Sequence, residues 1–181
     1  MSLPCLTFQT HDLNYFAPSY VVYRTYKPPT QRHDADIVHS RCLPMKILVP
    51  TDGSACALRA VKYAATLRPK ATVTLISVHD DTGLKHLKRF FPKATVNEYL
   101  REQSDKELKS ARASLDKTGV PHDMIIKTGH VTEEIVKAAK DGKFDVIVMG
   151  TKGRSTLGDV LVGSVAQRVL AITQLPVTFV K

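Results

Sequence analysis

From Met45 onward, apolar and polar positions alternate between two rhythms along the chain. Short unbroken runs recur at KILVP (46–50), TVTLISV (72–78), HDMIIK (122–127), DVIVM (145–149) and the closing PVTFVK. Each is short for a helix and rich in β-branched residues, so each predicts a strand buried on both faces. Between these runs apolar residues return at helical intervals. Ala57, Leu58, Val61, Ala64, Ala65 and Leu67 predict a helix that Ser54 caps and that ends before Pro69. After a long connection holding Gly83, Phe90, Phe91 and Pro92, Leu100, Leu108, Ala111 and Leu115 mark one face of a helix from about Glu98 to Lys117, which Gly119 stops. Gly129 precedes a third helix through Ile135, Val136, Ala138 and Ala139, with Glu133 and Glu134 complementing its positive end. The last runs from about Val165 to Ile172.

Strands and helices in strict alternation predict an α/β fold with a five-stranded parallel sheet covered on both faces. In such sheets ligands sit beyond the carboxyl ends of the strands. Two loops with suitable chemistry fall there: Asp52-Gly53-Ser54 after the first strand, and GTKGRSTLGDVLVGS (150–164) after the fourth.

Before Met45 the rhythm is missing. Pro4, Pro18, Pro28, Pro29 and Pro44 interrupt the segment, and nothing in it is periodic beyond a short SYVVYRTY. Residues 1–44 are therefore expected to be a flexible extension, residues 45–181 the folded unit, and Met45 the start of the natural protein, which an intact mass would test.

With 43% hydrophobic and 24% charged residues, the chain suits one domain with a sizeable core. No apolar stretch approaches the roughly 20 residues of a membrane span, so a membrane is not among the expected partners. The N-terminus carries no secretory pattern, and Cys5, Cys42 and Cys56 form neither a paired framework nor a metal set, which points to a reducing cytoplasm. The net charge of +9 favours polyanionic partners without choosing among nucleotides, nucleic acids and acidic surfaces. Lys85, His86, Lys88 and Arg89 read as a solvated basic face.

The glycine-rich loop narrows the choice. Gly158 and Gly163 have Walker spacing, but Ser164 stands where the phosphate-reaching lysine belongs. The dinucleotide fingerprint would need clustered glycines after the first strand, which Gly53 alone does not supply. What remains is Gly150, Gly153 and Gly163-Ser164. Glycines permit positive φ and close approach of backbone amides to phosphate, and the helix starting at Ser164 offers unpaired amides and a positive dipole end. Equally, Gly150 and Gly153 can simply turn the chain, and Ser164 with Gln167 can form a capping box.

ILVPTDGS (47–54), GHVTEEIVKAA (129–139), FDVIVMGTKGRS (144–155) and LPVTFVK (175–181), in this order, together with the spaced glycines, resemble the universal stress proteins of the ATP-binding subgroup. The resemblance covers 45–181 and none of 1–44. It implies a Rossmann-like sandwich of the adenine nucleotide alpha-hydrolase type with sheet order 3-2-1-4-5, bringing Asp52 beside Gly150. It further implies that Pro50, Thr51 and Asp52 line the adenosine half of an ATP site and that the Val78 backbone reads the adenine edge. Met149 and Gly150 would floor the site, and Gly153, Gly163, Ser164 and Val165 would offer amides and one hydroxyl to the phosphates. Asp52 can alternatively only shape an Asp-Gly turn, and Val78 can be an ordinary strand end. Lys152 and Arg154 either add charge to the triphosphate or stand in solvent. His130 is either a contact or structural. His79, Asp80 and Asp81 lack metal-cage spacing, so any Mg²⁺ is expected on ATP phosphates and water.

No catalytic constellation accompanies these residues, Asp52 being the one carboxylate to nominate for hydrolysis. The resemblance thus implies a nucleotide-dependent stress-response regulator with at most slow ATP hydrolysis, dimerising through the edge strand Val177–Val180. A nucleotide-using enzyme of the same superfamily is the alternative, although PTDGSAC does not match the Ser-Gly-Gly loop of its adenylating members. A nucleic-acid binder is another, expected to show a steep salt dependence.

Overall fold

The computed structural model describes residues 20–23, 44–67, 70–80, 90–154 and 162–181. The elements are β1 (Tyr20–Tyr23), β2 (Lys46–Pro50), α1 (Ala55–Ala64), β3 (Thr72–His79), α2 (Lys93–Thr118), β4 (His122–Thr128), α3 (Val131–Asp141), β5 (Val146–Gly150), α4 (Ser164–Ile172) and β6 (Val177–Val180). They build one sheet of order β1-β6-β5-β2-β3-β4. The strands from β2 to β6 are parallel and follow the expected 3-2-1-4-5 order when counted from Lys46.

The sheet has six strands rather than the expected five, the sixth coming from the SYVVYRTY segment. β1 pairs antiparallel with β6, Tyr20 facing Val180 and Tyr23 facing Val177. Val177–Val180 is therefore an inner strand and not the sheet edge; β1 and β4 are the outer strands. Of the first 44 residues the described ones are 20–23 and Pro44, while Cys5, Cys42, Asp81, Gly83, the cluster Lys85, His86, Lys88 and Arg89, and positions 155–161 lie outside the described residues.

Alternate residues of the central strands feed two cores. Ile47, Val49, Val73, Leu75 and Val148 pack under α1 and α2 against Val61, Ala64, Leu108, Ala111 and Leu115. Leu48, Ile76, Ile147, Met149, Val177 and Phe179 face the other way, against Ile135 and Ala139 of α3 and Ala166 and Val169 of α4. This two-sided burial is why the strands read as unbroken apolar runs.

Helix ends follow local chemistry. Ser54 caps α1, its hydroxyl accepting from the Ala57 amide at 3.2 Å. Gly119 ends α2 in the left-handed conformation at φ 68°. α2 begins at Lys93 rather than Glu98, because Val96 sits one turn before Leu100 and buries with it. Phe90 and Phe91, just before it, are exposed. Among the described residues no helix is long and apolar enough to cross a membrane.

Candidate functional site

The register that sets Ile47 against Val146 and Leu48 against Ile147 ends β2 and β5 side by side. The chain leaves both strands at the same level, and a cavity of about 350 Å³ opens there. That volume lies in the range of small-molecule sites. Every residue assigned to the site from the sequence lines it. Pro50, Thr51 and Asp52 come from the end of β2, and Val78 from β3. Met149 and Gly150 close β5, and Gly153 and Arg154 follow. Gly163, Ser164 and Val165 come from the start of α4. Sequence reasoning missed the apolar wall made by Ile76 of β3 and by Val131 and Ile135 of α3. Helical spacing marks Ile135 as buried, but only the fold shows that it borders a cavity.

Asp52 connects the two loops. Its Oδ1 accepts from the Ser54 amide and its Oδ2 from the Arg154 amide, both at 3.0 Å. The Asp-Gly turn is thus formed, with Gly53 at φ 79°, and the same carboxylate borders the cavity. Its structural and site-lining roles coexist.

The glycines act through space, not through conformation. Among the described glycines positive φ occurs at Gly53, Gly119 and Gly129, and at none of Gly150, Gly153 and Gly163. A Cβ on Gly150 would lie 2.8 Å from the Cys56 carbonyl carbon and 3.0 Å from the Ala57 nitrogen, where α1 begins. One on Gly153 would lie 2.8 Å from Asp52 Oδ2. The expectation of positive φ is therefore corrected: small size lets α1 and Asp52 close against the loop.

The start of α4 also departs from the capping-box arrangement. Gly163 is the N-cap, at φ −70° and ψ 161°, and Ser164 is already the first helical residue. Gln167 donates its side-chain amide to the Val162 carbonyl at 3.0 Å, while its backbone amide takes the Gly163 carbonyl. The Gly163 amide bonds the Thr151 carbonyl at 2.7 Å, which sets the helix against the end of β5. The amides of Ser164, Val165 and Ala166 thus precede the first intrahelical bond, and all three residues border the cavity. Amides without an intrahelical partner, together with the helix dipole, make this end a place for an anion.

Thr151 adds a further mark. Its Oγ1 is buried in the cavity wall without a hydrogen-bond partner, a state that buried hydroxyls rarely keep. Apolar side chains, the amides at the start of α4 and an unsatisfied hydroxyl thus line one cavity.

The basic residues divide. Lys152 borders the cavity, half-exposed. Arg154 also borders it, yet its guanidinium makes an ion pair with Glu107 Oε1 at 2.7 Å. Glu107, on α2, is buried and accepts from the Ser77 hydroxyl at 2.8 Å. The histidines are placed elsewhere. His130 precedes α3 without capping it, half-exposed, with Nδ1 3.9 Å from Glu133 Oε1. His79 turns toward α2, its Nε2 2.6 Å from Ser104 Oγ. Among the described residues no cluster of His, Cys, Asp and Glu could hold a metal ion.

Comparison with known proteins agrees with the fold. The profile described as "Universal stress protein family" matches residues 45–181. Universal stress protein MJ0531 of Methanocaldococcus jannaschii is 36% identical over 138 residues, covering 75% of this chain and 81% of that protein. The solved structure of MJ0577 from the same organism is 34% identical with a TM-score of 0.66, covering 76% of this chain and 95% of that one. A universal stress protein crystallised in complex with cAMP shares the fold at 23% identity and a TM-score of 0.58, over 76% of this chain and 97% of that one. By the matched segment and these relatives, the chain belongs to the universal stress protein family.

Proposed function

We propose that this chain binds ATP in the cavity between β2 and β5 and acts as a nucleotide-dependent regulator in the stress response. The observation carrying this reading is the start of α4, where the amides of Ser164, Val165 and Ala166 border the same cavity as the apolar surfaces of Ile76, Val78, Val131 and Met149. An adenine ring suits those surfaces. A triphosphate suits the amides, with the Ser164 hydroxyl, which no cap requires, beside them. Any Mg²⁺ is held by the phosphates and water. The relative in complex with cAMP supports an adenine nucleotide by analogy of fold alone.

Slow hydrolysis at most is the companion reading. Asp52, the nominated carboxylate, accepts one backbone amide at each oxygen, which commits it to holding the two loops together. Regulation then acts through occupancy and through the outer side of β6. Dimerisation through Val177–Val180 requires β1 to leave that strand, because β1 occupies its outer side in the single chain.

The test is to identify the nucleotide released when the purified protein is denatured, then to titrate ATP, AMP, GTP and duplex DNA by calorimetry. ATP retained without turnover is the expected result. Rapid turnover would make the protein a nucleotide-using enzyme, and DNA binding with a steep salt dependence would replace the ATP reading altogether.

A further inference from the structure

We infer that Glu107 is a positioning residue for the phosphate end of the cavity and that Arg154, through which it acts, is a strut rather than a phosphate ligand. The inference rests on the ATP reading above. Glu107 belongs to neither site loop: it lies on α2, 93% buried, and its two carboxylate oxygens are divided between Ser77 of β3 and the Arg154 guanidinium. The same residue is also tied through its backbone, whose amide donates to Asp52 Oδ2, so the side-chain pair and this amide bond support each other. Around this point the chain is tight, since a Cβ on Gly53 would come 3.2 Å from Glu107 Cα. Helix α2, the Asp-Gly turn and the first part of the glycine-rich loop are thus tied together at one residue pair.

The alternative is that Arg154 swings toward a bound triphosphate. That movement would leave the buried Glu107 carboxylate with the Ser77 hydroxyl as its remaining partner among the described residues. Stranding a buried charge is strongly unfavourable, whereas the phosphates already have backbone amides and water to meet them. Arg154 therefore stays on Glu107, and the pair keeps the loop shaped for the ligand before it arrives.

The full chain tests this with Glu107→Gln, Arg154→Ala and the double variant. In the nucleotide-free protein, amide exchange at Arg154 should quicken about tenfold in either single variant while β2 and β5 amides keep their protection. ATP affinity should fall by about tenfold in both, adenosine affinity should stay within about twofold, and the double variant should match the singles, the signature of two groups acting as one unit. If Glu107→Gln tightens ATP while Arg154→Ala weakens it, Arg154 is a phosphate ligand that Glu107 restrains, and the inference is overturned. Unchanged exchange at Arg154 in the variants also overturns it. Should none of the proteins bind ATP, the ATP reading fails, yet the exchange measurement still decides whether the strut exists. Arg154→Ala alters a mostly exposed side chain, so the exchange arm survives even if Glu107→Gln does not fold.

Discussion

At the scale of single residues, two glycines that look alike in the sequence are required for different physical reasons, and their substitutions should differ in kind. Gly119 sits at φ 68° with open space around its Cβ position, so Gly119→Ala suffers backbone strain alone, about 1 kcal/mol, with no effect on the cavity. Gly150 has ordinary φ but meets the backbone of Cys56 and Ala57, so Gly150→Ala must push α1 away from β5. That displacement should cost about 1–3 kcal/mol and reshape the cavity floor. Urea unfolding should show both losses as lowered midpoints, with ATP titration unchanged for Gly119→Ala and weakened for Gly150→Ala. Glu107 shows why some site residues are hidden in a sequence. Nothing local distinguishes it from the other charged residues of α2, and its pairing with Arg154 exists only once the two segments are folded against each other.

Elements carry most of what the sequence discloses. The inner parallel strands are legible because both faces of each are covered, leaving runs such as KILVP and TVTLISV with no polar alternation to blur them, whereas HDMIIK forms the outer strand β4 with Met124 and Ile126 exposed and is not buried on both faces as expected. The start of α2 is harder to read, because Lys93–Asn97 has no acid and no side-chain cap, and Val96 is its one buried apolar residue. β1 is legible as the short SYVVYRTY segment, but its place in the sheet is not, because its pairing is decided by β6, far along the chain. The spaced glycines and DGS turn locate the cavity correctly, whereas the apolar wall from α3 depends on how that helix lies over β3. The two serines at helix starts make a direct test of position. Ser54 is a true cap, so Ser54→Ala should lower stability by about 1 kcal/mol. Ser164 is the first helical residue and Gly163 the cap, so Ser164→Ala should stay within about 0.5 kcal/mol in stability while reducing affinity for ATP. Equal stability losses in the pair would show that Ser164 caps α4 after all.

For the whole molecule, the decisive question is which strand covers β6. Residues Val177–Val180 are buried and paired to β5 on one side and to β1 on the other. An unpaired outer edge on such a strand would invite a strand from a second copy. β1 is short, but it is on the same chain, so its effective concentration at that edge is on the order of millimolar, well above a micromolar protein solution. The full chain should therefore sediment as a monomer at micromolar concentration. Adjacent residues of an antiparallel strand direct their amides alternately toward and away from the partner, so Val21→Pro combined with Val22→Pro removes a ladder donor whichever residue faces β6. With β1 disabled, the edge becomes available in every molecule, and a concentration-dependent dimer should appear in sedimentation. A wild-type chain already dimeric would mean that β1 does not compete for β6. A proline variant that stays monomeric over the whole concentration range would instead remove β6 as a dimer surface and leave nucleotide occupancy without this route to a partner.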